Sequence, residues 1–541
     1  MFRIAWRYQR VDIAGMTLFG ALYGFLQTAA YTAAGTTTAQ RVAFGQQYEA
    51  LGRSMTYLLP MPVRLDTIGG WEQWRVFAVP PILFVFWAAI SATGALRGNE
   101  DRGLVEQWRS AGVSVWRYAA HRFGVFSLGA LIAVTVTSSV TAVTAAKVIG
   151  SALDPIATAE VTIALFAVTL TGYSIGMVAA QLTTSRNAAA GLAGVLLVAA
   201  FFINSFGRSV DSLRTFASFS SPFYYYDRST PLIPGGSFDP VATAGLVAAA
   251  IVLAVVAAWL MHSRDLGASI FQRRPSVAAM TMRPSHNPML RIPVLAEFYQ
   301  QRIGILAWVV GSALVAAYIG AAGRTLVDEL AIGSTTFKGY WTVVGQGDPY
   351  VALTGYFWFS FFLGLLSAFA ITQVAKWSAD DNEGRLETVL SAPVSRTRVV
   401  LVRAATFIVG VAVIIVLSSL AFYAAANKNG IAVPVSSLLT ASLLLVPFAM
   451  SFAATGALLA SRVPRSAVSA LVTLSFLSFL ITLGGPLMKW PDSVMRLSVF
   501  TLYGQPLTSG VDWPGLWILA TICVAGFGLA VLLMRRREVG A

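Results

Sequence analysis

The chain's most patterned polar residues fall in two segments. Asn99 to Arg122 reads NEDRGLVEQWRSAGVSVWRYAAHR, and Asp380 to Arg403 reads DDNEGRLETVLSAPVSRTRVVLVR. Set side by side without a gap, at an offset of 281, they share Gly103/Gly384, Glu106/Glu387, Ser110/Ser391, Ala111/Ala392, Val113/Val394, Ser114/Ser395, Arg117/Arg398 and Arg122/Arg403. Each starts with acids, passes a glycine, carries a glutamate and arginines around a small-residue core, and runs into an apolar stretch. The chemistry on offer is recognition. Small residues permit close approach and fixed charges set register. A solvated loop whose juxtamembrane arginines meet lipid head groups would account for Arg122 and Arg403. It would not account for the recurrence of SAGVS as SAPVS, which fits a repeated docking surface for two copies of one partner.

The remaining chemistry is sparse. Cys523 is the single cysteine, which excludes a disulfide framework and a thiolate metal site. Three histidines without an HExxH pattern make a histidine metal site a poor fit. The lysines are Lys147, Lys338, Lys376, Lys428 and Lys489, none after a glycine, so there is no Walker A loop. If ATP drives this protein, another chain binds it together with Mg, and this chain holds no cofactor.

The elements that must position these loops follow from composition. Of 541 residues, 56 % are hydrophobic and 11 % charged, against about 25 % charged in soluble domains. Charge-free runs long enough to cross a bilayer occupy 13–40, 76–96, 123–146, 161–185, 187–207, 240–263, 303–323, 349–375, 404–427, 429–461, 466–488 and 513–534. Backbone groups in lipid must pair internally, so these runs are expected to be helices. The expectation is an all-α polytopic membrane protein with twelve spans. The first run is too long for a cleavable signal peptide and is expected in the mature protein. The loops on the side of the termini hold 25 of the 38 Lys and Arg, which puts both termini in the cytoplasm. The charge is spread over many loops without a basic groove, which speaks against nucleic acid.

The same offset of 281 returns later, where Asp211-Ser212-Leu213 faces Asp492-Ser493-Val494 and Phe219 faces Phe500. Two matches at one offset in equivalent loops argue for two parallel six-span halves. The expected division is 1–263, a cytoplasmic linker over 264–289, and 290–541. Each half opens with a short interfacial helix, residues 2–11 in the first and 290–302 in the second.

Glu383-Gly384-Arg385-Leu386-Glu387-Thr388-Val389-Leu390-Ser391-Ala392-Pro393-Val394-Ser395-Arg396 resembles the motif after the second span of ABC-2-type exporter permeases, roughly E-x-G-T-L-E-x-L-L-x-x-P-V-S-R. With two fused halves, the chain resembles the double-length permeases of the polyketide-antibiotic, or tetronasin-type, exporter group, whose fold is the type V exporter. The resemblance spans the whole chain in topology and some tens of residues in motif. It implies a coupling helix docking on an ATPase subunit, carried by Gly384, Glu387, Ser391, Pro393, Val394, Ser395 and Arg396. In the first half the role falls on Gly103, Glu106, Ser110, Val113 and Ser114. That half departs from the pattern: Gly112 replaces the proline, Val115 replaces the arginine, and Trp108 and Trp116 intrude, so equal coupling does not carry over. The resemblance also implies short re-entrant helices between the fifth and sixth spans. Asp211–Tyr226 and Asp492–Tyr503 fit, with Phe219, Phe223, Phe500 and Tyr503 as a candidate outer gate; an interfacial aromatic belt fits them too.

Phe84, Trp87, Phe201 and Phe202 are core or lipid-facing aromatics, or the walls of a hydrophobic route. Acids at span edges, such as Asp12, Glu72 and Glu160, are expected at the interface. The expected function is the permease of an ATP-driven exporter in a prokaryotic plasma membrane, served by two ATPase subunits and moving an amphipathic or hydrophobic small molecule. An ion-coupled carrier with twelve spans remains an alternative, though its spans would normally keep ionisable residues. A membrane-embedded enzyme lacks a candidate site. A non-transporting sensor or assembly partner of an ATPase stays open.

Overall fold

The computed structural model describes residues 2–54, 60–208, 211–270, 288–331, 348–382, 384–464, 466–487, 490–507 and 510–536. The chain divides into two compact units, Met1–Met282 and Arg283–Ala541.

In the first unit the long helices are α1 (Phe2–Ala29), α2 (Thr38–Ser54), α3 (Pro80–Ala95), the short α4 (Leu104–Ser110), α5 (Val115–Thr144), α6 (Pro155–Leu182), α7 (Arg186–Gly207), α8 (Asp211–Ser220) and α9 (Pro240–Ser263). The second unit holds α10 (Pro293–Ala331), α11 (Pro349–Asn382), the short α12 (Arg385–Leu390), α13 (Arg396–Lys428), α14 (Val435–Arg462), α15 (Ala467–Leu487) and α16 (Trp513–Arg536). Several starts share one signal, an aspartate before a proline. Asp154 accepts from the Ile156 N–H at 3.1 Å, Asp239 from Ala242 at 2.8 Å and Asp348 from Tyr350 at 2.9 Å. The carboxylate satisfies a donor that the first turn leaves unpaired, and the proline needs none.

Among the described residues, eleven helical stretches are long and apolar enough to cross a membrane. The architecture is an all-α polytopic membrane protein. The run 466–488 folds as α15, whose Ala467–Phe479 stretch is a shorter apolar helix. One expectation changes at the start of each unit. α1 runs unbroken through residues 2–11, and α10 runs unbroken from Pro293. A separate flat helix does not form: neither sequence places a proline where the charged turn meets the apolar run, and the helices continue through Gly15 and Gly304.

Long helices pack in corresponding pairs within each unit. These pairs are α1 with α5, α3 with α6 and α6 with α9, then α10 with α13, α11 with α14 and α14 with α16. Small residues make the approaches possible. A Cβ on Gly176 of α6 would stand 2.5 Å from the Ala89 carbonyl of α3, so the Gly176/Ala180 spacing is a packing device. The core of the second unit is aromatic, with Trp358 stacked on Phe362 at 4.4 Å and on Phe422 at 5.8 Å. The core of the first unit includes Phe126 stacked on Tyr173 at 4.0 Å.

Candidate docking loops

Both patterned loops fold into the same local device. At Gly103 (φ +71°) and Gly384 (φ +73°) the backbone enters the left-handed region, and a short helix, α4 or α12, starts at the next residue. A Cβ on Gly384 would meet nothing within 4 Å, so glycine is demanded there by φ and not by space. Two residues further on, Val105 and Leu386 turn inward, at 1 % and 2 % exposure. Leu386 packs with Val400, Ala530 and Met534 above a cavity of about 30 Å³, room for about one water. With that position anchored, Glu106 and Glu387 lie on exposed positions. Ser110 donates to the Gln107 carbonyl at 2.9 Å, and Ser391 donates to Thr388 at 2.7 Å. Ser114 then accepts from the Arg117 N–H at 3.3 Å, and Ser395 from Arg398 at 3.2 Å, capping α5 and α13. Val113 and Val394 are half-buried, and Pro393 is exposed. Glu383 lies outside the described residues.

The departures have physical causes. Gly112 takes φ +80°, a value proline cannot adopt, and its N–H donates to the Arg109 carbonyl at 3.0 Å. The first loop therefore turns by a left-handed glycine where the second turns by Pro393. Arg396 donates to the carbonyls of Met534 at 3.4 Å and Arg535 at 3.3 Å, while Arg535 donates to the Thr397 hydroxyl at 2.9 Å. The arginine expected to face a partner thus also closes the C-terminal end of α16, where carbonyls lack helical donors. Val115, its counterpart, is buried. Asp380 pairs with Arg385 at 3.0 Å and Arg403 at 3.1 Å. At the matching position Asn99 donates to the Tyr118 hydroxyl at 3.1 Å, and buried Arg122 lies over the Tyr118 ring at 5.1 Å.

The aromatic residues do not share one setting. Phe219 on α8 is 85 % exposed and Phe223 is buried, with the ring of Phe201 5.7 Å from it. Phe500 and Tyr503 are both buried, and the Phe448 ring stands 5.6 Å from Phe500. Phe84 meets Trp87 at 6.1 Å, and Phe201 meets Phe202 at 5.5 Å. Tyr226 and Tyr503 anchor the segments between the last two helices of each unit. Their hydroxyls donate to the Phe77 carbonyl at 2.6 Å and the Ala441 carbonyl at 2.9 Å. Burial pushes both phenols well above their ordinary value.

Two features escape sequence reasoning. Glu72, expected at an interface, is fully buried in a π-helical turn (Glu72–Val76) ahead of α3. It accepts from the Thr28 hydroxyl at 3.1 Å through one oxygen, and its other oxygen has no partner. The neighbouring Arg75 lies over the rings of Trp71 and Trp74 at 5.6 and 5.5 Å. The second feature is an ion-pair network at the loop end, centred on Glu100. It joins Arg97 and Arg264, side chains 0 % and 3 % exposed. Among the described residues no group of three His, Cys, Asp or Glu could hold a metal ion.

Residues 290–535 match the family model described as the C-terminal domain of the multidrug efflux system permease Rv1217c. The chain is also similar to the multidrug efflux system permease protein Rv1217c of Mycobacterium tuberculosis (strain ATCC 25618 / H37Rv). That similarity is 26 % identity over 490 residues, covering 88 % of this chain and 84 % of the relative. Both similarities support kinship with an efflux-permease family.

Proposed function

We propose that the chain is the membrane permease of an ATP-driven exporter, a double-length member of the ABC-2 type with two six-span halves. Two separate ATPase subunits bind ATP and Mg and dock on the two loops, and their closure drives the two halves between inward- and outward-facing states. The cargo is an amphipathic or hydrophobic small molecule leaving a prokaryotic cell, and both termini lie in the cytoplasm. The observation that carries this reading is the duplicated loop device. A left-handed glycine, an inward apolar anchor, an outward glutamate and a serine cap recur at matched positions in both loops. The similarity to a protein named as a multidrug efflux permease supports the export part of the reading.

The experiment is co-purification with an ABC ATPase encoded beside the gene, followed by native mass measurement and ATP hydrolysis. The permease alone should hydrolyse no ATP, and the complex should hold two ATPase copies. Glu387→Ala should weaken docking by about thirtyfold, the equivalent of about 2 kcal/mol for a charge-assisted contact at an interface. Glu106→Ala should weaken it less, because its loop departs further from the motif. Unchanged docking in both variants would mean these loops are connectors, and the reading would fall.

A further inference from the structure

The residues after α9 do not leave the first unit directly. Arg264 grips Glu100 with both arms of its guanidinium, Nη1 to Oε1 and Nη2 to Oε2, each at 2.6 Å. It also donates to the side-chain oxygen of Gln181 at 2.8 and 3.0 Å, at the end of α6. Gly267, in the left-handed region, turns the chain back so that its N–H donates to Glu100 at 2.6 Å. Arg97 completes the ring, with its guanidinium 3.0 Å from Glu100 and donating to the carbonyls of Ala268 at 3.1 Å and Gly267 at 3.3 Å. The Ile270 N–H donates to the Gln181 carbonyl at 3.2 Å. Residues 264–270 therefore form a strap. It ties the short helix Arg97–Asp101, which leads directly into Gly103 and α4, to the ends of α6 and α9.

The second loop carries different residues at these positions. Ser378 and Asp381 stand where the first loop has Arg97 and Glu100, and Asp380 pairs instead with Arg385 and Arg403. Side-chain exposure is 36 % at Asp380 and 58 % at Arg385, against 2 % at Glu100 and 3 % at Arg264. A bidentate pair shielded from water holds one geometry, whereas an exposed pair exchanges with solvent.

The geometry points to the strap as the positioning element of the first docking loop, with Arg264 and Glu100 as positioning residues. Through it α4 is held to the ends of two spanning helices and moves with its bundle, while α12 keeps the apolar anchor Leu386 and the more exposed pair Asp380–Arg385. This rests on the docking role given to the loops above, and it names how one of them is set in place.

The test uses the full chain in nanodiscs, with and without its partner ATPase. Arg264→Lys keeps the charge but loses the fork, and Arg264→Gln loses both. Hydrogen exchange over 97–114 should quicken about tenfold in Arg264→Lys and more in Arg264→Gln, with 384–396 unchanged. In the complex, ATP hydrolysis relative to the free ATPase subunit should drop about fivefold in Arg264→Gln. The drop should be smaller in Arg264→Lys, with two ATPase copies still bound in both. If Arg264→Gln does not insert, Arg264→Lys and Glu100→Asp carry the same readouts. Exchange over 97–114 within twofold of wild type overturns the strap. Faster exchange with unaltered ATP hydrolysis overturns its positioning role. A wild-type chain that binds no ATPase would sink the proposed function instead, and the exchange arm would still judge the strap.

Discussion

Replacing Gly112 by proline makes the first loop more like the second, and the structure says it should damage it. Gly112 has φ +80°, whereas proline is fixed near −65°. The substitution also removes the N–H that donates to the Arg109 carbonyl at 3.0 Å, a bond worth about 1 kcal/mol. With the backbone conflict added, Gly112→Pro should destabilise the turn by roughly 3 kcal/mol or more. Gly112→Ala is the calibrating control. A Cβ there meets nothing within 4 Å, so its cost is purely conformational, about 1–2 kcal/mol for a left-handed L-residue. Hydrogen exchange of residues 104–114 in nanodiscs reads both. A cost of 1–2 kcal/mol corresponds to roughly 5- to 30-fold faster opening for alanine, and proline should exceed that range. Residues 384–396 should exchange as in wild type. If proline protected the first loop as well as glycine does, the left-handed turn would be dispensable. The explanation of the two loops' difference by backbone conformation would then fail.

Two further outcomes follow from the proposed topology and from one cap. A reporter fused after Ala541 or inserted near Arg274 should read cytoplasmic, and one near Gly235 should read external; an external signal at Arg274 would break the six-plus-six arrangement. Asp239 caps α9 through the Ala242 N–H and pairs with Arg228 at 2.7 Å, which holds its carboxyl below the ordinary value of 3.8. A depressed carboxyl contributes stability that is complete above the unfolded value and is lost as pH falls through the folded one. The melting-temperature gap between wild type and Asp239→Asn in detergent should therefore be level from pH 7 to about 5 and narrow below about 4; a gap independent of pH would refute the charge contribution.

How far the sequence reaches depends on the range of the interaction. Gly103/Gly384 and Ser114/Ser395 stood out in the sequence only as matched positions; the left-handed turn and helix cap they form are decided within three or four residues. Matched residues at these positions then give the same turn and the same cap. The spanning helices were legible because charge is costly in lipid, although counting charge-free runs starts the second at residue 76. It therefore misses Glu72 and Arg75, which the structure places in a buried turn before Pro80. The pair Arg264–Glu100 joins residues 164 positions apart, and no periodicity or spacing marks such a contact. Phe219 and Phe500 match by offset yet differ in burial, because a matched position fixes the backbone's place in a repeat and not what packs upon it.

The two loops thus share their local grammar and differ in what they are fastened to. In the first, Asn99 stands where the second has Asp380, and the pairing acid is the next residue, Glu100, turned inward to Arg264. In the second, Asp380 reaches Arg385 at the start of α12 and Arg403 on α13, and Arg396 reaches the end of α16. Each loop is therefore tied through polar groups to the C-terminal end of the last helix of its own unit, by a buried carboxylate in one and by Arg396 on carbonyls and Arg535 on the Thr397 hydroxyl in the other. Equivalent mechanical links made by unrelated side chains show that the attachment of loop to last helix persists while its chemistry varies. Such a link is what a docking loop requires if force applied at α4 or α12 is to move spanning helices instead of merely bending a connector.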